Sequence, residues 1–189
     1  DGDGWVLDGS KTVVMHGDSA DKLIVSARTS GDRYDADGIT LFIVDAASAG
    51  VARRGYVGRD EIRAADIALS NARGEVLGEV GKGLAIVQAV VDATIAATAA
   101  ETVGAMEAMN EMTLEYSKTR VQFGQPIGTY QVVQHRMADM FMTQEQGRSM
   151  AMLATMSLDN DDPAQRAHDM AMAKVGVGQA GRYVSQSAV

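Results

Sequence analysis

The hydrophobic pattern of this chain changes its period near residue 78, and this change constrains the fold more than any other feature. Before it, short β-branched and apolar runs alternate with Gly, Asp and Ser clusters, as in strands joined by turns. After it, long Ala- and Met-rich segments carry an apolar residue every three or four positions, which predicts helices. We therefore expect an α+β chain, with an antiparallel β-domain over residues 1–77 and an antiparallel up-down bundle of long helices over residues 78–189.

The individual elements follow from the same pattern. The predicted strands are Trp5–Leu7, Thr12–Met15, Lys22–Ser26 and Ile39–Val44. The predicted helices cover about residues 83–119, about residues 130–158, and the stretch from Asp162-Pro163 to the chain end, where an N-cap acid precedes a proline at the first helical position. Long helices with short connections pack as antiparallel neighbours, and three of them usually require a fourth. Since the third helix is still periodic where the sequence stops, we expect a fragment.

Composition excludes several classes of function. The 17 Lys and Arg residues against 25 Asp and Glu residues give a net charge of −8, which argues against a nucleic-acid binder. The absence of cysteine removes thiolate metal sites, disulfides and cysteine nucleophiles, and it fits a reducing, cytoplasmic location. Asp1-Gly2-Asp3-Gly4 has neither the basic nor the apolar region of a targeting segment. His16, His135 and His168 lack metal-ligand spacing, so no metal site is expected.

The longest apolar stretch, Leu84–Met106, raises the question of a membrane span. It contains Gln88, Asp92 and Glu101 at positions that would lie deep in a bilayer, where charged groups are costly. We therefore predict a buried helix of a soluble protein and no membrane span.

One segment carries a specific resemblance. Residues 120–140 read RVQFGQPIGTYQVVQHRMADM, and this string closely resembles the R-x-x-F-G-x-P-I…Q…A-D-M pattern of the acyl-CoA dehydrogenase family. Residues 3–11, DGWVLDGSK, resemble a hairpin of that family's central β-domain, and residues 171–174 resemble the start of its third C-terminal helix. The resemblance implies a β-domain followed by a helical bundle. It also implies that an N-terminal helical domain, the first part of the β-domain and the last helices are missing here.

The resemblance also implies a cofactor and a reaction. Residues matching Arg120, Phe123 and Gln131 hold the FAD of a neighbouring subunit in this family, with the arginine on the pyrophosphate and the glutamine on the adenosine side. A guanidinium suits a pyrophosphate because its fork makes two charge-assisted hydrogen bonds. The implied activity is dehydrogenation of an acyl-CoA to its trans-2-enoyl form in a homo- or hetero-oligomer, with an electron-transfer flavoprotein type of acceptor. Without a ligand, the same residues would end a helix and build the turn after it.

The sequence departs from the family where the flavin would be covered. Most relatives have a W-[IV]-[TS] triplet, whose ring covers the flavin and whose hydroxyl bonds N5, whereas this chain has Val13-Val14-Met15. Valine cannot stack on a flavin, and a thioether is a weak acceptor. We therefore expect an altered flavin pocket in this subunit, although a buried strand would also explain Val13 and Val14.

A second departure concerns the catalytic base. Relatives often read L-D-x-[ET]-R on the first long helix, where this chain has Val91–Ile95, so that isoleucine replaces the arginine. Thr94 stands where one subfamily carries its glutamate base, and in the larger group the base lies beyond the end of this chain. Glu101, seven residues after Thr94, is a weaker candidate, because an acid on an Ala-rich helix is more often a surface group. No catalytic residue is therefore assigned within residues 1–189.

Two functional hypotheses follow. The first is an acyl-CoA dehydrogenase-like flavoprotein. The alternative is a non-catalytic partner subunit, which lends Arg120, Phe123 and Gln131 to the flavin of a catalytic neighbour. A flavin or nitro-compound oxidase of the same fold stays open, and a helical interaction module without flavin is the more distant possibility.

Overall fold

The computed structural model describes residues 4–189. Asp1–Asp3 lie outside the described residues. They include most of the N-terminal segment considered for targeting and the first residue of the hairpin resemblance. The chain divides into two units, Asp1–Gln88 and Ala89–Val189, which are described separately below.

The first unit is built on a five-stranded antiparallel sheet. Its strands are β1 (Trp5–Met15), β2 (Lys22–Arg28), β3 (Ile39–Asp45), β4 (Val51–Val57) and β5 (Arg63–Leu77). The strand order is β1-β5-β3-β2, and β4 also pairs with β5. The first half of β5 lies between β1 and β4, and its last residues pair with β3. β5 is therefore the central strand that connects all parts of the sheet except β2.

The sequence predictions for this unit were incomplete. The two strands predicted before residue 16 form one strand, β1, whose register with β5 shifts between Leu7 and Gly9 and between Lys11 and Val14. β4 and β5 were not predicted. β4 contains two arginines and a glycine, and β5 is rich in alanine. These residues have little intrinsic strand preference, so the conformation of both strands depends on pairing with neighbours.

Alternate residues of the strands form the core of the first unit. Phe42 and Val44 are fully buried, and Ile67 is nearly so. The Trp5 ring packs at a tilt on the Phe42 ring, with 5.5 Å between their centroids. Such alternation fixes the register, because a shift by one residue would turn these side chains towards solvent.

The second unit consists of long helices, two of which are joined by a small hairpin. Its elements are α1 (Gly83–Thr119, which begins in the first unit), β6 (Val121–Gln122), β7 (Gln125–Pro126), a 3-10 turn (Ile127–Thr129), α2 (Gln131–Ser157) and α3 (Pro163–Ser187). The predicted helices are confirmed: each begins within one residue of its predicted start, and α3 ends two residues before the predicted end at residue 189. The Asp162 carboxylate caps α3 by accepting a hydrogen bond from the backbone N–H of Ala164 at 2.9 Å. The resemblance at residues 171–174 lies inside α3 and not at its start.

The three helices pack in the up-down arrangement that the sequence predicts. Met106 of α1 lies against Gly147 of α2, where an added Cβ would come within 2.7 Å of the methionine Cε. Ser157 near the end of α2 donates to Asp169 near the start of α3, and Met150 lies against Gly176 further along both helices, so those two helices are antiparallel. The shared core contains mainly Ala, Val and Met side chains, and small residues allow the close approach of the helices.

The prediction that α1 is a buried helix is wrong for this chain. Six of its 37 residues are buried, namely Gly83, Ala96, Ala99, Val103, Met106 and Ser117, whereas Val90 and Val91 are exposed. Among the described helices, α1 is long and apolar enough to cross a membrane by length and composition. The prediction of no membrane span stays a prediction.

Candidate functional site

The candidate site is the hairpin that follows α1. The backbone N–H of Arg120 continues the helix by donating to the Tyr116 carbonyl at 2.9 Å, and the Arg120 carbonyl accepts from the backbone N–H of Ile127 at 2.8 Å. The Tyr130 hydroxyl closes the loop from the other side by donating to the Gln122 carbonyl at 3.1 Å. The Gln134 side chain donates to the Gly128 carbonyl at 2.9 Å. The hairpin is thus held by hydrogen bonds to both flanking helices.

The tip of the hairpin is a two-residue turn with an unusual first residue. Phe123 has φ of +55° and Gly124 has φ of +82°, so both central residues are left-handed, as in a type I′ turn. Glycine adopts this conformation freely, whereas a bulky L-residue is strained in it. Phe123 is 92% exposed, so packing among residues 4–189 does not compensate the strain. The Phe123 ring therefore does not pack under the turn that it helps to form.

The three predicted FAD contacts are all exposed. Arg120, Phe123 and Gln131 lie on one segment that includes the end of α1, the hairpin and the start of α2. Within the helical unit, no described side chain pairs with the Arg120 guanidinium. An exposed cation, an exposed ring and an exposed amide on one segment suit a ligand with a phosphate group and an aromatic base. Their role as FAD contacts stays a prediction.

The segment predicted to cover the flavin lies at an irregularity of β1. Val13 has φ of +54° at the second register shift of that strand, and its side chain is 64% exposed. Met15 is 54% exposed. Since Val13 is neither regular nor buried, the explanation of Val13 as a buried strand residue is wrong.

The turn after β1 contains ionic contacts that the sequence did not indicate. The Asp18 carboxylate pairs with the Arg63 guanidinium, whose Nε donates to Asp18 Oδ2 at 2.6 Å. This hydrogen bond lowers the pKa of Asp18 below its ordinary value, and burial opposes the effect. Arg53 donates to the carbonyl of Ala20 at 3.0 Å and to that of Asp18 at 3.3 Å. These partners are 33 to 45 residues apart in the chain, so no local motif signals them.

The candidate base positions lie on one exposed face of α1. Thr94 and Glu101 are both exposed and seven residues apart, which places them on the same side of a helix. The Thr94 hydroxyl donates to the carbonyl of Val90 at 2.7 Å and so bonds its own helix. Asp92 forms the salt bridge that is the ordinary role of a helix acid, with Arg166 Nε at 3.3 Å. Among residues 4–189, no cluster of three or more His, Asp and Glu side chains could hold a metal ion.

Comparison with known proteins identifies similar domains over both units of the chain. Residues 81–189 match the model of the acyl-CoA dehydrogenase C-terminal domain, and residues 1–72 match the model of the acyl-CoA dehydrogenase middle domain. The L-prolyl-[peptidyl-carrier protein] dehydrogenase of Pseudomonas fluorescens is 33% identical over 189 residues, covering 97% of this chain and 49% of that protein.

Similar solved structures cover the whole chain, and two of them bear on the candidate site. The FAD complex of PigA is similar with a TM-score of 0.90 at 27% identity, covering 100% of this chain and 50% of that one. The ChsE4-ChsE5 complex from Mycobacterium tuberculosis has a TM-score of 0.77 at 26% identity, covering 100% and 49%.

The chain spans about half the length of the curated relative it matches. Both of its units match domains of one family in the order in which they occur here, and the α+β fold is that of the solved members. The chain belongs to the acyl-CoA dehydrogenase family.

Proposed function

We propose that this chain is part of an FAD-dependent dehydrogenase that introduces an α,β double bond into an acyl-CoA thioester. The observation that carries the proposal is the hydrogen-bonded hairpin that exposes Arg120, Phe123 and Gln131 together. Family membership and the FAD complex among the similar structures support it. We further propose an oligomer in which this hairpin contacts the flavin of a neighbouring subunit, and an electron-transfer flavoprotein type of acceptor.

The proposed chemistry assigns a binding role to this chain. In the reaction a base takes a proton from Cα, a hydride leaves Cβ, and the carbon–carbon bond becomes double. FAD supplies the hydride acceptor when it is bound. Arg120 would hold the pyrophosphate through two N–H donors, and Gln131 would bond the adenosine side. Residues 1–189 contribute no assigned base, because Thr94 stands at one family position for it and Glu101 is the weaker candidate.

The experiment compares two arginine variants in the full-length protein that contains this chain. Arg120→Ala removes one charge-assisted contact, which costs about 1.5–3 kcal/mol and thus weakens FAD binding by roughly 10- to 150-fold. Arg136→Ala is the matched control, because Arg136 is also exposed but has no predicted flavin contact. Binding is measured by flavin fluorescence during titration of the flavin-free protein. Equal FAD affinity in the two variants would refute the site.

A specific observation favours a second candidate function. Val13 and Met15 occupy the positions where relatives cover the flavin, and both side chains are exposed without offering a ring or a hydroxyl. The second candidate is a non-catalytic subunit that lends its hairpin to a catalytic partner. The similarity to the ChsE4-ChsE5 complex, an assembly of two different proteins, is compatible with it.

The flavin content distinguishes the two candidates. One FAD per subunit in the full-length protein purified alone supports a self-sufficient dehydrogenase. If the protein purified alone contains no FAD, but coexpression with a related subunit gives one FAD for every two subunits, the non-catalytic subunit is supported. Visible absorbance after denaturation measures the ratio.

A further inference from the structure

The end of β1 and the turn that follows it combine strain with an unusual set of ionic contacts. Val13 and His16 both have φ of +54°, a conformation that L side chains rarely adopt and that is least suited to β-branched valine. Strained backbone of this kind persists only where the surrounding structure holds it. The question is therefore what holds the segment from Val13 to Ala20.

Two arginines from other strands provide the restraint. Arg63, at the start of β5, pairs through its side chain with the Asp18 carboxylate, and its carbonyl accepts from the backbone N–H of His16 at 2.8 Å. Arg53, on β4, donates to carbonyls of the same turn, that of Ala20 at 3.0 Å among them. The turn is thus held at three kinds of group: the Asp18 side chain, the His16 backbone N–H and backbone carbonyls such as that of Ala20.

The cost of this arrangement argues for a role beyond stability. The Asp18 side chain is only 8% exposed, and its Oδ1 atom is buried without a hydrogen-bond partner among the described residues. An unpartnered buried polar atom is destabilising. Gly55 of β4 leaves the space for Asp18, because an added Cβ would come within 2.9 Å of the aspartate Cβ. Glycine in a strand interior is itself unfavourable and often marks such a close approach.

We propose that Asp18, Arg63 and Arg53 are positioning residues that hold the strained Val13–His16 segment as a fixed edge for the flavin. The inference rests on the proposed function, because it takes the exposed Val13 and Met15 side chains as the edge that meets the cofactor. Asp18 and its arginines do not touch the flavin in this proposal. These three residues act by holding the backbone of Val13–His16 in place. Without their contacts, that backbone would be free to move.

The test uses flavin-free full-length protein and two readouts. The variants are Asp18→Asn, Arg63→Met and their combination. Arg54→Met is the matched control, because Arg54 lies beside Arg53 on β4 and its pair with Asp66 at 3.6 Å is largely exposed. The first readout is hydrogen exchange at the backbone N–H groups of His16 and Gly17. The second is the FAD dissociation constant together with the visible absorption spectrum of the bound flavin.

The expected result is at least tenfold faster exchange at these two amides in each Asp18 and Arg63 variant, with FAD binding weakened at least tenfold and the flavin absorption band shifted. The Arg54 control should change neither readout. The double variant should resemble each single variant, because all three remove the same contact. If a single variant does not fold, judged by circular dichroism, Arg53→Met replaces it.

Three outcomes would overturn the inference in different ways. Unchanged exchange in the variants would show that the ionic contacts do not hold the turn. Faster exchange with unchanged FAD binding would show that the segment is not the flavin edge. A wild-type protein that binds no FAD, alone or with a partner subunit, would refute the proposed function and the flavin role of the turn. Hydrogen exchange would still decide whether Asp18 and the two arginines hold the turn in place.

Discussion

The left-handed backbone conformation of Phe123 tests whether the hairpin sequence serves ligand binding at the expense of stability. A left-handed conformation costs an L-residue roughly 1–2 kcal/mol, whereas Asn tolerates it and Asn-Gly is the preferred type I′ pair. Because the Phe123 ring is 92% exposed, its removal sacrifices little buried area within the chain. We expect Phe123→Asn to raise the free energy of unfolding of the flavin-free protein by about 1 kcal/mol.

The assay is urea unfolding followed by circular dichroism, with Phe123→Tyr as the control. Tyrosine keeps both the ring and the backbone strain, so its free energy of unfolding should match the wild type. The same Asn variant should bind FAD more weakly, since it lacks the exposed ring. The reasoning is refuted if Phe123→Asn is no more stable than Phe123→Tyr, because the strain would then be absent or compensated.

Three further predictions concern the helical unit. The hydrogen bond from Ser157 holds the pKa of Asp169 below its ordinary value, so the stability it gives is present above a pH of about 3.9 and is lost as the pH falls through the lowered pKa. Asp169→Asn should therefore lower the melting temperature at pH 7 and flatten its decline below pH 4, and an unchanged acid decline would contradict this. Gly104→Ala should stabilise the protein by about 0.5–1 kcal/mol in urea unfolding, because an added Cβ meets no atom within 4 Å; a loss of stability would indicate that another chain packs there. Arg166→Met should lower the free energy of unfolding by about 1.5–3 kcal/mol, because Asp92 loses a half-buried partner at 3.3 Å. The double variant Asp92→Asn, Arg166→Met should lose less stability in urea unfolding than the sum of the losses in the two single variants.

Much of the helical unit could be predicted from local signals. Helix periodicity, the Asp162-Pro163 start and the Gly124 and Pro126 turn act over a few residues, and the structure confirms the helices they predict. The fold class was also predictable, because the change from strand to helix periodicity is read directly along the chain.

The sheet was harder to predict, because its central strand carries a weak local signal. β5 contains Ala, Asp and Arg at positions where a typical buried strand has β-branched residues, and its neighbours β1, β3 and β4 supply the hydrogen bonds that keep it extended. Strand pairing joins residues far apart in the sequence, so its energy does not appear in any short window.

The candidate site divides in the same way. The sequence by itself determined which residues are predicted to carry its chemistry, since the spacing of Arg120, Phe123 and Gln131 and the absence of an aromatic ring at Val13 are visible in the sequence. Only the tertiary structure decided how they are presented: Phe123 strained and exposed, Val13 at a bulge, and Asp18 clamped by Arg63. The physical reason is that conformation and ionic pairing at these positions are set by strands and helices that meet in space, and those contacts are not encoded in the local sequence.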